Sequence, residues 1–345
     1  MKVKILIWIL AMLLFNPMDS YLAAQVVTEK NYKLEENVTW GEPEETPLSL
    51  DIYTPDQAGD QLLPVLIIYH GGGWLINDKS IMNDMASYIA NTGKYVVCNV
   101  DYRLLTANDN TVTLNEIVED AMGALLWVKE NIVKYSGDPE KIAVTGDSAG
   151  GQLASLVVNG SYHLGLERFN NNSTEYYPSY LPAGKNIENL QARDLKVQAV
   201  LLSYPAVDLY AAALNGFESP ENPFWAMGNG EARGMFGPGI DAMSHPHFYK
   251  MVSPIYTVPD SYTHKLPPHF VQVGTQDNVT PPFMVQRYVD SLEINGQDVI
   301  YWMHKDRGHA YLDSGSNEVL NVNFRDDAIP AIERMLDFMD SVFYN

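Results

Sequence analysis

Past Gln25, the hydrophobic positions of this 345-residue chain alternate between short solid runs and sparser stripes at helical spacing. Leu48–Tyr53 alternates apolar and polar residues and stops at Pro55, the pattern of a half-exposed strand. Leu62–Tyr69 is almost wholly apolar, which suits a strand buried on both faces of a sheet. Residues 79–92 read as a helix and Tyr95–Val100 as the next buried strand. Thr113-Leu-Asn-Glu116 is a capping box; behind it Ile117, Ala121, Ala124, Leu125, Val128 and Ile132 recur at helical spacing, predicting a helix to about Lys134. Asp138-Pro139 breaks the chain before a short strand at Lys141–Thr145, and Ala149–Val158 reads as a helix ended by Asn159-Gly160. Val197–Ser203, His269–Val273 and Val299–Met303 are three more buried strands, and a helix carrying Ile329, Ile332, Leu336, Met339 and Phe343 closes the chain.

Repeated strand–helix alternation predicts an α/β fold: a mainly parallel central sheet with helices on both faces. No internal repeat and no Gly/Ser linker divides residues 25–345, so a single domain is expected. Two stretches break the alternation. Residues 161–195 are polar and rich in Asn and Tyr, and residues 210–265 are rich in Pro and Gly. Loops this long inside a compact domain usually serve as lids or binding walls.

The start of the chain reads differently. Lys2 and Lys4 precede the apolar run Ile5–Phe15, and Leu22-Ala23-Ala24 offers small residues for cleavage. An apolar run of 11 residues is too short to span a bilayer, which needs about 20. Residues 1–24 are therefore expected to be a signal peptide, with the mature protein secreted or periplasmic and not stably held on a membrane. The single cysteine, Cys98, excludes an intrachain disulfide and reads as a buried small hydrophobe. With 22 Lys and Arg against 43 Asp and Glu, the net charge of −21 argues against a nucleic-acid partner. N-x-[ST] sites stand at Asn37, Asn159, Asn171, Asn172 and Asn278.

The chemistry-bearing residues fall at strand ends. Gly146-Asp147-Ser148-Ala149-Gly150 follows a predicted strand and opens a predicted helix, the strand–turn–helix context of a nucleophile elbow. The helix start behind Ser148 adds partial positive charge where an oxyanion would form. His70-Gly71-Gly72-Gly73-Trp74 follows the buried strand ending at Tyr69. Its glycines leave backbone N–H groups bare, so those of Gly72 and Gly73 can join that of Ala149 as an oxyanion hole. A phosphate-cradling loop would need the Lys-[ST] or G-x-G-x-x-G spacing that this segment lacks. His70 itself reads as a structural hydrogen-bonding residue. For the base, His309 lies in a loop just past the last predicted strand, with His304 as its rival; His163, His264 and His269 lack that placement. For the acid, Asp277 follows the strand His269–Val273, with Asp306 and Asp313 as alternatives. Asp241, His245 and His247 resemble part of a metal set but lack a further placed ligand, so no metal is expected. The order Ser148, Asp277, His309 matches Ser…Asp…His.

With these residues in view, the chain resembles the α/β-hydrolase superfamily, in particular the hormone-sensitive-lipase-like and bacterial feruloyl- and acetyl-esterase-like carboxylesterases. The likeness is carried by His70–Trp74, Val100-Asp101-Tyr102-Arg103-Leu104, Asp138–Lys141 leading into Gly146–Gly151, Asp277 and Gly308-His309. Where such enzymes often place a glycine after the HGGGW segment, this chain has Asn77, a residue that also tolerates left-handed backbone. The resemblance implies a cofactor-free carboxylic ester hydrolase working through an acyl-enzyme. Export and the family likeness point to acetyl or feruloyl esters on plant polysaccharide, with Trp74, Tyr176 and Trp225 as sugar- or acyl-binding surfaces. A general short-chain esterase or lipase is the alternative within the same chemistry, and a catalytically inactive hydrolase-fold binding module is the alternative outside it.

Overall fold

In the computed structural model, residues 30–59 and 61–344 are described; the expected signal peptide lies outside them. Eight strands form one sheet: β1 (Tyr32–Gly41), β2 (Leu48–Pro55), β3 (Leu63–Tyr69), β4 (Val96–Val100), β5 (Gly137–Asp147), β6 (Ala199–Ser203), β7 (His269–Gly274) and β8 (Val299–His304). Their spatial order is β1-β2-β4-β3-β5-β6-β7-β8. β1 pairs antiparallel with β2, and β2 antiparallel with β4; every other pairing in the sheet is parallel. One lateral row through the parallel part runs Cys98, Ile67, Val144, Val200, His269, Val299. The parallel strands β3 to β7 are buried along their whole length apart from the bulged start of β5, as solid apolar runs require when helices cover both faces.

Five long helices supply the cover: α1 (Asn83–Asn91), α2 (Leu114–Asn131), α3 (Ala149–Asn159), α4 (Pro282–Ile294) and α5 (Ile329–Phe343). α1 packs with α5 on one face, and α2 with α3 on the other. The capping box holds: the Thr113 N–H donates to Glu116 Oε2 at 2.7 Å. α2 nevertheless departs from the expected one-sided stripe, because every residue from Leu114 to Val128 except Glu116 is buried. Residues 161–195 lie on its outer face, so close at Gly123 that a Cβ there would sit 2.7 Å from the Tyr180 nitrogen.

Three elements differ from the sequence reading. β1, built of mostly polar residues, was not expected as a strand. β5 begins at Gly137 instead of Lys141, because its register jumps between Leu63↔Gly137 and Val65↔Ile142 and the bulge absorbs Asp138-Pro139 without demanding a ladder N–H from proline. β8 is the sheet edge, with Ile300 and Met303 about half exposed (55% and 51%), not a buried strand. Cys98 is a buried free thiol in β4.

Candidate active site

The carboxyl ends of β3, β5, β7 and β8 carry the chemistry, as expected for an open α/β sheet. At the end of β5, Ser148 takes φ 51° and ψ −115°, a conformation that costs a non-glycine residue on the order of 1–3 kcal/mol. The turn is held by the Ser148 N–H donating to the Ser203 carbonyl at 3.0 Å. Two glycines make it possible. A Cβ on Gly146 would lie 2.2 Å from the Gly150 backbone, and one on Gly150 would lie 1.9 Å from the Tyr69 carbonyl oxygen. The Ser148 hydroxyl thereby points away from the backbone and donates to His309 Nε2 at 2.9 Å.

His309 sits in the loop after β8, with Ala310 behind it at φ 64°. Its Nδ1–H donates to Asp277 Oδ2 at 2.8 Å. Asp277 is buried (2% exposed), and its carboxylate also accepts from the Val279 and Thr280 N–H groups at 2.8 and 2.9 Å and from the Thr280 hydroxyl at 3.1 Å. The edge of the buried Tyr204 ring packs on His309, centroid to centroid 4.7 Å. Thr280 and Tyr204 thus fix the orientation of the acid and the imidazole. Neither was expected from the sequence; the only local hint is Asp277-Asn-Val-Thr280, a spacing suited to an Asx turn.

Beyond β3, His70 to Trp74 forms a tight loop. Gly72 and Gly73 take φ 121° and 61°, and a Cβ on Gly72 would collide with the Ile76 carbonyl at 2.1 Å. Among the described residues no acceptor takes the N–H of Gly72, Gly73 or Ala149, so the three expected oxyanion donors are left unpaired. His70 is buried, stacks on Tyr102 at 4.3 Å and donates from Nδ1 to the Gly71 carbonyl at 2.7 Å, the structural role expected of it. Burial holds its pKa below the ordinary imidazole value. Asn77 adopts φ 70°, the left-handed conformation for which a glycine often stands in its place. Asp101 and Arg103 pin the surroundings: Asp101 accepts from Lys79 Nζ at 2.8 Å, and buried Arg103 grips Asp120 through Nε and Nη2 at 2.8 and 2.9 Å.

The rivals take no part in the relay. His304 is buried, donates from Nε2 to the Asp327 carbonyl at 2.8 Å and stacks near Trp302, so it cannot reach Ser148. Asp306 is solvent-exposed. His163 is held below the ordinary imidazole pKa mainly by burial, His264 stacks on Tyr162, and His269 is a core residue whose pKa burial lowers to about 4. Asp241 caps its own turn through the Met243 and Ser244 N–H groups, and His245 bonds Ser244. Among the described residues no three His, Cys, Asp or Glu side chains are gathered to hold a metal ion.

The expected substrate-binding aromatics need correction. Trp74, Tyr176 and Trp225 are 3%, 0% and 2% exposed and belong to the core. Trp74 donates to Gln152 and Trp225 to the Phe217 carbonyl, while Tyr176 donates to the Met251 carbonyl beneath the second insertion. Large amphipathic rings satisfy their polar tip locally and bury the rest. The half-buried ring nearest the glycine loop is Phe224, whose Cδ1 would stand 3.6 Å from a Cβ on Gly73. Residues 161–195, one of the two long stretches expected as lids or binding walls, cover α2 and support residues 210–265 through Phe169, which stacks on Phe236 and packs at a tilt against Phe248.

The BD-FAE family model matches residues 50–290. Carboxylesterase NlhH of Mycobacterium tuberculosis is 36% identical over 112 residues, 32% of this chain and 34% of NlhH. Esterase LipQ of the same organism is 27% identical over 267 residues, 76% of this chain and 54% of LipQ. The matched part thus spans about a third to a half of those curated relatives. Among solved structures, Thermogutta terrifontis esterase 2 phosphorylated by paraoxon aligns with a TM-score of 0.63 at 18% identity, over 91% of this chain and 95% of that one. The likeness is one of fold, that of an α/β-hydrolase.

Proposed function

The chain belongs to the BD-FAE family, and from that premise we propose that it is a serine carboxylic ester hydrolase acting on short acyl or feruloyl esters. The observation that carries the reading is the unbroken relay of Ser148 Oγ to His309 Nε2 at 2.9 Å and His309 Nδ1 to Asp277 Oδ2 at 2.8 Å, with the three expected oxyanion donors unpaired. In this reading Ser148 attacks the ester carbonyl while His309 takes its proton. The carbonyl oxygen, now an anion, is held by the N–H groups of Gly72, Gly73 and Ala149. Asp277 orients the imidazole and balances its positive charge. His309 then gives the proton to the departing alcohol oxygen, leaving an acyl-Ser148 ester. Water, deprotonated by His309, attacks that ester; the Ser148 oxygen leaves and takes the proton back from His309 as the acid is released. The relay needs no cofactor.

Acylated plant polysaccharide is the substrate class we favour, supported by the family and by the expected export of the chain; the mature protein would begin near Gln25. Phe224 beside Gly73 supports short or flat acyl groups over long chains, since a ring at that position narrows the space next to the oxyanion hole. The test is a panel of acetylated xylan, feruloylated oligosaccharide and p-nitrophenyl esters of increasing chain length, with Ser148→Ala as control. We expect the variant to lose roughly 10⁴-fold or more in kcat, as triad nucleophile variants do, and a stoichiometric organophosphate label on Ser148. Acetylated or feruloylated oligosaccharide should exceed p-nitrophenyl octanoate in kcat/KM by at least about tenfold. A preference for octanoate or longer esters would make the chain a general esterase or lipase, and an active Ser148→Ala variant would overturn the mechanism.

A further inference from the structure

One buried acid beside the triad takes no part in the proton path. Asp147 immediately precedes Ser148 and is 3% exposed. Its Oδ2 lies so close to the glycine loop that a Cβ on Gly71 would fall 2.3 Å from it, while its Oδ1 is buried without a hydrogen-bond partner. The groups around it come from several segments. Tyr102, stacked on His70, faces it from the loop after β4. Tyr204, packed on His309, faces it from the end of β6. Tyr311 and Asp313 face it from the histidine loop, where the Leu312 N–H also donates to the Tyr204 hydroxyl at 3.2 Å. His309 is the cation-forming group nearest to it in effect, since its charge favours ionised Asp147. Asp147 therefore occupies the point where the oxyanion loop, the nucleophile elbow and the histidine loop converge.

We propose that Asp147 is a positioning residue for ester hydrolysis: its carboxylate seats the Gly71–Gly73 loop against the elbow and adds a second negative charge, besides Asp277, facing protonated His309. The proposal rests on the serine-hydrolase reading above. It follows from the timing of charge in that reaction. His309 becomes a cation only as the tetrahedral oxyanion forms, so a fixed anion behind it favours the transition state over the ground state. The same carboxylate contacts the loop that presents the oxyanion donors, so one group aligns both halves of the charge separation.

The ionisation of the site is consistent with this role. Burial pushes Asp147 up to about 6, against the pull of His309, the Gly71 N–H, its own N–H and the Tyr204 hydroxyl. Asp313 is pushed up to about 8 by burial and by the charge of Asp147. Near neutral pH Asp147 thus carries the charge and Asp313 the proton, two carboxyls that titrate as a pair. Below about 6 Asp147 is neutralised and its contribution disappears.

Asp147→Asn keeps the shape and removes the charge. For p-nitrophenyl acetate we expect kcat to fall roughly 10- to 100-fold with KM within about twofold, the pattern of an interaction made only in the transition state. The acid limb of kcat/KM should move to lower pH by at least about half a unit, because the variant has no Asp147 carboxylate to lose near 6. A variant that merely loosened the fold would not move that limb. Asp313→Asn is the second variant, used whether or not Asp147→Asn folds. Asp313 is already neutral in the range where Asp147 titrates, so Asp313→Asn should leave the acid limb in place; a limb that moves as far as in Asp147→Asn would assign the charge to Asp313. Organophosphate labelling of wild-type Ser148 is measured alongside. Labelled wild type with unchanged kcat and acid limb in Asp147→Asn, with a loss confined to KM, or with a limb displaced in Asp313→Asn as far as in Asp147→Asn overturns the positioning role alone. Wild type that is neither labelled nor active overturns the function reading and this inference with it.

Discussion

A single strained residue organises the site. Ser148 holds φ 51° because Gly146 and Gly150 let the elbow close behind it, and that strain directs its hydroxyl to His309. The identity of the base can be tested against its neighbour five residues upstream. His309→Gln removes the acceptor for the Ser148 proton and should lower kcat by about 10⁴-fold or more. His304→Gln should retain most activity, because His304 is bonded to the Asp327 carbonyl and lies away from the serine; its effect should appear as a lower melting temperature. Steady-state kinetics on a p-nitrophenyl ester with both variants separates the two, and the reverse pattern would transfer the role to His304. Ser148, Asp277 and His309 could be found in the sequence because each directly follows a recognisable strand and their order is informative. Thr280, Tyr204 and Asp147 could not be ranked, since their importance lies in contacts between segments far apart in the chain, such as Tyr204 to His309, 105 residues on. The three aromatics chosen as ligand surfaces failed for a related reason: composition does not distinguish a ring that lines a cleft from one that fills a core.

At the scale of elements, solid apolar runs and the capping box located the central strands and α2, whereas the sheet edges were harder to read. β1 escaped because left-handed Asn37 at φ 55° and the register breaks at Glu35/Val38 and Thr39/Gly41 interrupt its period of two. β8 was read as buried because its apolar run resembles its neighbours; only its place at the end of the strand order exposes it. The joint between β3, β5 and α3 is where an element-level change should cost most. An added methyl on Gly150 would meet the Tyr69 carbonyl oxygen at 1.9 Å, backbone against backbone, with no flexible side chain to yield. Overpacking costs about 1–3 kcal/mol and more where nothing can move. Gly150→Ala should therefore yield little soluble protein, or protein with a melting temperature lower by roughly 5–10 °C and almost no activity. Gly41→Ala, whose methyl reaches nothing closer than 3.8 Å, should melt close to wild type. Equal melting temperatures for the two variants would show that the joint is more pliable than its contacts imply.

For the molecule as a whole, the two insertions form a two-tier structure on α2. Residues 161–195 lie on the helix, with Tyr176 fully buried and the Ser179 N–H donating to the Glu119 carbonyl at 3.0 Å, and residues 210–265 rest on them and reach the glycine loop through Phe224. Replacing residues 168–182 would therefore uncover core and test stability more than substrate choice. The lower tier has a consequence for pH. It buries Glu119, whose carboxyl is pushed up to about 8 by burial, only partly offset by the Tyr177 N–H, Arg168 and Asn115. In the unfolded chain the same group titrates at its ordinary value of 4.5. Between these values the folded protein holds a proton that the unfolded chain has released, so stability falls as pH rises through that window. Asp147 and Asp313, also raised, act in the same direction. Below about pH 6.5 the imidazoles of His70, His163 and His269, held neutral by burial, act in the opposite direction, so scanning calorimetry should show a melting temperature that declines from about pH 6.5 towards pH 9. Glu119→Gln removes the charge while keeping a polar side chain of the same shape. It should flatten the decline and melt roughly 2–6 °C above wild type at pH 8.5, with the advantage shrinking towards pH 4.5 as wild-type Glu119 becomes neutral in both states. Parallel curves for the two proteins would mean that Glu119 is hydrated in solution and that the lower tier opens above α2.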